Sequence, residues 1–204
     1  MNKNFLKIQK DYLQQAWSRQ TKELETAIPA CWQRGCFHFH AFGEPCELHP
    51  TEIILGGQSL TGPEGILIDM YASHVPNEEI QLHPLKSFKE LPESMPYQGA
   101  FSIHAEKVLT PYVPIMKENQ QGLVERFSGT INQDAPSGDF SFTLYPLPRV
   151  ALYYIFYLPD EEFSASVTCL FPANVNLFLP VAGLADVAEY TAKKIIELIT
   201  EVKS

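Results

Sequence analysis

The stretch from Gly138 to Pro172, GDFSFTLYPLPRVALYYIFYLPDEEFSASVTCLFP, constrains the fold more than any other part of the chain. Phe140, Phe142 and Leu144 alternate with Ser141, Thr143 and Tyr145, the period-two pattern of a half-buried strand. From Val150 to Leu158 every position is apolar or aromatic, which suits a strand covered on both faces. Phe163, Ala165, Val167, Cys169 and Phe171 then alternate with Ser164, Ser166 and Thr168. The link from Leu158 to Glu162 is of hairpin length. Together these runs predict an antiparallel meander over about 139–171, with its middle strand in the core.

Helical patterns flank this meander. Leu6, Leu13, Trp17, Leu24 and Ile28 lie on one stripe of a helix expected from Asn4, its N-cap, to Ala27, before Pro29. Leu184, Ala188, Thr191, Ile195, Leu198 and Val202 mark a closing helix, with Glu189, Lys193 and Glu197 spaced four apart on its outer side. Between them the spacing predicts a short helix over 64–73 with Ile66, Leu67, Met70 and Tyr71 inward, and a helical pair from Phe101 to Phe127. Short strands are expected at Cys36–Phe42, Glu52–Leu55 and Lys86–Leu91, with Gly56-Gly57 as a turn. The expected fold is a single α+β domain over 1–204, an antiparallel sheet with helices packed on it, the N- and C-terminal ones included.

Composition narrows the partners. Hydrophobic residues make up 45% and charged residues 19% of the 204, the latter below the ~25% of an average soluble domain, as a large core requires. A net charge of -9 and a pI of 5.1 speak against nucleic acid or an anionic membrane surface, which bind basic patches. The start gathers no signal-peptide core. The uncharged span Phe163–Ala185 is broken by Pro172 and Pro180, so no membrane span is expected. These features point to the cytoplasm, where Cys31, Cys36, Cys46 and Cys169 would be reduced thiols.

A family resemblance rests on Phe88 with Glu90-Leu91-Pro92, Gly138-Asp139, Leu147-Pro148-Arg149-Val150, Asp160-Glu161-Glu162-Phe163 leading to Leu170-Phe171, and Leu179-Pro180. In their order, from about Gly65 to Leu198, these resemble an uncharacterised bacterial domain-of-unknown-function family found mainly in anaerobes. Where that family carries an aromatic before Gly-Asp-Glu-Glu-Phe, this chain has Tyr157-Leu158-Pro159, with proline in place of the glycine. The resemblance implies a small cytosolic protein of unassigned activity. Some members are joined to an iron–sulfur domain like that of corrinoid proteins. No four-cysteine cluster motif is present here, so no resident cofactor is expected.

Two constellations carry chemistry. Cys36, His38 and His40 fall on one strand face, ~7 Å apart along the chain at ~3.3 Å per residue, and Glu44, Cys46 or His49 would complete a tetrahedral metal site. An edge strand with its histidines in water and Phe37 and Phe39 in the core explains the same pattern. The second constellation is an acidic edge. A reversal at Pro146-Leu147-Pro148 returns Gly138-Asp139 to the turn carrying Asp160, Glu161 and Glu162, while hairpin geometry keeps Arg149 ~30 Å away. Such crowding is costly unless a cation or partner offsets it, although a solvated turn that only keeps the hairpin soluble accounts for it too.

The leading expectation is a non-catalytic binding or accessory protein of anaerobic metabolism. It would face a small molecule or protein partner with Asp139, Asp160, Glu161 and Glu162. The alternative is a metal-dependent enzyme built on Cys36, His38 and His40. A third reading is a scaffold that self-associates, as a homodimer, through its amphipathic end helices.

Overall fold

A computed structural model describes residues 3–133 and 138–201. The side chains of Asn4 and Leu6, part of the link before Gly138, and Val202 lie outside the described residues. The structure is an α+β fold built on two antiparallel sheets rather than the one expected.

The first sheet runs in chain order: β1 (Cys31–Gln33), β2 (Cys36–Ala41), β3 (Glu44–Leu48), β4 (Ile53–Leu55) and β5 (Gln58–Ser59). Three of its four hairpins close through two-residue turns with both residues at positive φ: Arg34-Gly35 (51° and 84°), Phe42-Gly43 (50° and 78°) and Gly56-Gly57 (57° and 81°). Such turns match the natural twist of the strands they join, and glycine takes the left-handed conformation without steric cost. Pro45 fits in β3 because its missing N–H falls beside the Gly56-Gly57 turn, where its carbonyl still accepts the Gly56 N–H at 2.9 Å.

In the second sheet the order is β6 (Lys86–Ser87), β10 (Ser166–Phe171), β9 (Val150–Tyr157), β8 (Phe140–Leu147) and β7 (Thr130–Ile131). The meander is β8-β9-β10, and β9 is its central strand, with Tyr154 and Phe156 fully buried. Tyr157 pairs with Ser166, not with Phe163. The displacement has a local cause. Asp160 Oδ1 accepts the N–H groups of Glu162 (2.8 Å) and Phe163 (2.6 Å), winding these residues into a turn of their own. Phe163 is left 69% exposed.

The helices are α1 (Lys3–Trp17), α2 (Thr21–Ala27), α3 (Pro63–His74), α4 (Gln98–Phe101), α5 (Val113–Glu118), α6 (Gln120–Arg126) and α7 (Val181–Glu201). The expected first helix is broken after Trp17. There Arg19 turns to donate to the last carbonyls of α3, Ala72 O (3.1 Å) and Val75 O (2.8 Å). At the end of α2, Arg149 donates to Thr26 O (3.1 Å) and Ala27 O (2.7 Å), a cation where the helix dipole favours one. Buried on nearly every side, α3 packs against both α1 and α7. This is the expected position of a helix apolar all round. In α7, Lys193 pairs with Glu189 at 2.6 Å on the outer face, and the inner stripe from Leu184 to Ile195 is buried.

Candidate metal centre

Alternation along β2 and β3 sorts the first sheet into two faces. Phe37, Phe39, Ala41, Cys46 and Leu48 point into the core and are buried. Cys36, His38, Glu47 and His49 share the other face, which is only partly covered. The register places His38 directly opposite Glu47 on β3 and Cys31 on β1. Neighbours in such pairs have Cβ atoms ~4.5–5.5 Å apart, close enough for their side chains to share a ligand.

Three donors converge. Cys36 Sγ lies 3.2 Å from His38 Nε2, and one ligand atom from each of Cys36, His38 and Glu47 falls within 4.8 Å of the others. A tetrahedral zinc ion with ligands at ~2.0–2.3 Å holds its donors ~3.3–3.8 Å apart, so small side-chain rotations suffice to close the set around one ion. A thiolate, an imidazole and a carboxylate suit zinc or another divalent transition metal better than magnesium or calcium. Burial, and then the nearby Glu47 carboxylate, raise the pKa of the Cys36 thiol. His49 Nε2 sits 2.9 Å from Glu47 Oε2, where it orients the carboxylate from outside, as outer-shell partners of metal ligands do.

The expected donors separate in the structure. Cys36 and His38 come together. His40 lies further along the same face, opposite Pro45, and is exposed. Cys46 belongs to the opposite, buried face. Glu44 is drawn away by Lys194 Nζ at 3.2 Å. The donor not foreseen is Glu47, which nothing in the local spacing marks; only the β2–β3 register brings it to His38. Next to the cluster, a cavity of about 650 Å³ is lined by Cys31, His38, His40, Ser128 and Tyr145, among others.

The acidic edge is also assembled. Asp139 Oδ2 accepts the N–H of Leu158 at 2.7 Å, so Gly138-Asp139 does return beside the turn. Asp160 caps its own turn, and Glu161 and Glu162 are exposed. Among the described residues no ion pair engages these four carboxylates. Arg149 is committed elsewhere, to the end of α2 and to Glu78 O at 2.7 Å.

Two further acids were missed in the sequence. Asp69, in α3, is fully buried, and neither of its carboxylate oxygens has a hydrogen-bond partner. Burial pushes its pKa up to about 8, against a smaller opposing effect of Gln9. The signal was available: an aspartate interrupting the apolar run Gly65-Ile66-Leu67-Ile68. Glu106 lies in a single π-helical turn, Ser102–Glu106, where it accepts the Cys169 N–H at 3.1 Å and caps an open stretch of β10.

No helix among the described residues is long and apolar enough to cross a membrane. A family model described as a domain of unknown function, DUF3786, matches residues 20–194. No curated protein and no solved structure matches the chain. The matched span reaches further toward the N-terminus than the resemblance over Gly65–Leu198, and takes in Cys31, Cys36, His38, Glu47 and His49 along with the meander. By this match over most of its length, the chain belongs to the DUF3786 family, whose function is not established.

Proposed function

We propose that the protein binds one divalent transition-metal ion, held by Cys36 Sγ, His38 Nε2 and a Glu47 carboxylate oxygen. The observation that carries this reading is the convergence of those three donors within 4.8 Å on a partly covered sheet face. Binding displaces the thiol proton, so affinity rises with pH. The ion ties β2 to β3 across their register. An adjoining cavity, lined in part by Cys31 and His38, opens beside the centre.

Elemental analysis of protein purified without chelators, repeated on His38→Ala, tests it. Zinc or iron near one equivalent, lost in a variant that keeps its circular dichroism spectrum, supports the centre. Metal content unchanged by the substitution, or absent after reconstitution with zinc, removes it.

A second reading is an accessory protein that docks a partner on the acidic edge of Asp139, Asp160, Glu161 and Glu162, beside an iron–sulfur protein of anaerobic metabolism as the resemblance implies. What favours it is the company those carboxylates keep, since Phe163 is 69% and Tyr157 40% exposed beside them. Exposed aromatics next to charge are common in docking surfaces. Against it, Asp139 and Asp160 already accept backbone N–H groups, which gives them a structural use.

A further inference from the structure

Three donors leave one position of a tetrahedral ion unfilled, and the register of β1 offers a fourth. Cys31 is the Cα partner of His38, on the side of β2 opposite Glu47. Side chains of directly paired residues lie on one face of a sheet, so Cys31, His38 and Glu47 form a row across three strands, with Cys36 beside His38 in the next row. Cys31 is a free, exposed thiol, and with His38 it lines the cavity next to the cluster. The other nearby donor, His49, is engaged with Glu47 at 2.9 Å and is suited to steering that carboxylate.

We infer that Cys31 is the fourth ligand, completing a closed Cys31–Cys36–His38–Glu47 site in which a side-chain rotation brings its thiolate to the ion. This rests on the three-donor centre proposed above and deepens it. Two thiolates select a soft or borderline metal, zinc or ferrous iron, over hard cations. An ion with four protein ligands has no position for water or substrate. The centre then staples β1, β2 and β3 together and does not hydrolyse anything, because catalytic zinc sites keep an open position. Each bound ion releases the two thiol protons, one from Cys31 and one from Cys36.

Cobalt(II) substitution tests the inference, because thiolate-to-cobalt charge-transfer absorbance counts bound sulfurs. The full chain is titrated with cobalt and then zinc, in parallel with Cys31→Ser, Cys36→Ser and His49→Ala. Cys31 is exposed, so its serine variant is expected to fold. The wild type is expected to give a tetrahedral visible spectrum, two protons released per ion, and a charge-transfer band that falls by roughly half in either serine variant. Affinity in Cys31→Ser is expected to fall beyond the ~10–100-fold that loss of an outer-shell partner costs, while His49→Ala stays within that range. Cys31→His, which restores a donor, recovers affinity without the second sulfur band. If the wild type binds cobalt but Cys31→Ser leaves band and affinity unchanged, Cys31 is not a ligand although the three-donor centre stands. If His49→Ala is the more damaging change and removes the tetrahedral spectrum, the fourth ligand is His49. If the wild type binds no cobalt at all, the underlying centre itself fails.

Discussion

The centre of the second sheet and the outer face of the first use alternation to opposite ends. On β9, Tyr154 and Phe156 are sealed against Phe140 and Phe142, with Phe140 and Phe156 stacked at 4.6 Å between ring centroids. The backbone N–H of Cys169, which β6 does not reach, is taken up by Glu106. That region is sealed from solvent, although the buried Tyr154 hydroxyl is left without a hydrogen-bond partner. On the outer face of β2 and β3, Cys36 is buried and His38 and Glu47 are half-buried, and the mutual contacts of these sulfur, nitrogen and oxygen donors leave lone pairs available. The same strand periodicity thus yields a core where both faces are covered and a candidate site where one face is not.

The largest expected effect breaks the covered side of this comparison. Phe156→Ala should destabilise the protein by ~3–5 kcal/mol, the usual loss for a buried aromatic in a packed core. Chemical denaturation measures it. A loss under ~1 kcal/mol would mean that the centre of the sheet is no better packed than its edge.

On the uncovered side, ligand linkage predicts the next largest effect. Zinc at a free concentration about 100-fold above its dissociation constant should stabilise the folded state by about 2.7 kcal/mol. For a chain of this size that raises Tm by about 5–10 °C. In His38→Ala the shift should vanish while Phe156→Ala, starting from a lower Tm, retains it. An equal zinc shift in the His38 variant would separate the stabilisation from this face.

What could be read in the sequence divides along the same line. The meander was legible because a long, fully apolar run such as Val150–Leu158 has few ways to be buried, and Tyr154 and Phe156 are where it puts them. The first sheet was only partly legible. Its strands are two to six residues long, and two of its four hairpins turn on Arg34-Gly35 and Phe42-Gly43, which lack the usual asparagine or aspartate before glycine. Two of the three proposed metal donors, Cys36 and His38, follow from period two within β2. The third, Glu47, depends on cross-strand register, which no single-strand pattern encodes. The hairpin at Asp160 slipped for a similar reason: an aspartate capping two N–H groups decided the turn, and Phe163, apolar by type, was left outside.

Asp69 sharpens the comparison from a third region, since α3 buries an acid with none of the partners that the sheet face supplies. Burial raises its folded-state pKa from 3.8 to about 8. The unfolded chain ionises first as pH rises, so the unfolded state releases the proton while the folded state retains it. Stability is therefore full below about pH 4 and declines through to about pH 8 from this group. Asp69→Asn should remove that decline and gain up to ~5 kcal/mol at pH 8, with little change at pH 4. A variant whose pH–stability curve parallels the wild type would show that the carboxyl is already compensated.

The smallest effects belong to the acidic turn, and they distinguish capping from crowding. Asp160 Oδ1 accepts two backbone N–H groups, a role an asparagine carbonyl oxygen fills equally well and an alanine does not. Glu161 and Glu162 are exposed, so neutralising Glu162 removes charge without removing a contact. Asp160→Asn with Glu162→Gln should then leave stability within ~0.5 kcal/mol, whereas Asp160→Ala should lose ~0.5–1 kcal/mol for the two unanchored amides. Mutual repulsion among Asp139, Asp160, Glu161 and Glu162 makes the opposite forecast, a double mutant more stable than the wild type, with the gain shrinking as salt screens the charges. Unfolding at low and high ionic strength decides between them. A salt-sensitive gain would mean that the edge holds its charge at a cost in stability, as sites kept open for a ligand do. A salt-independent loss confined to the alanine variant would assign Asp160 to the turn and remove the acidic edge as a site kept open for a ligand.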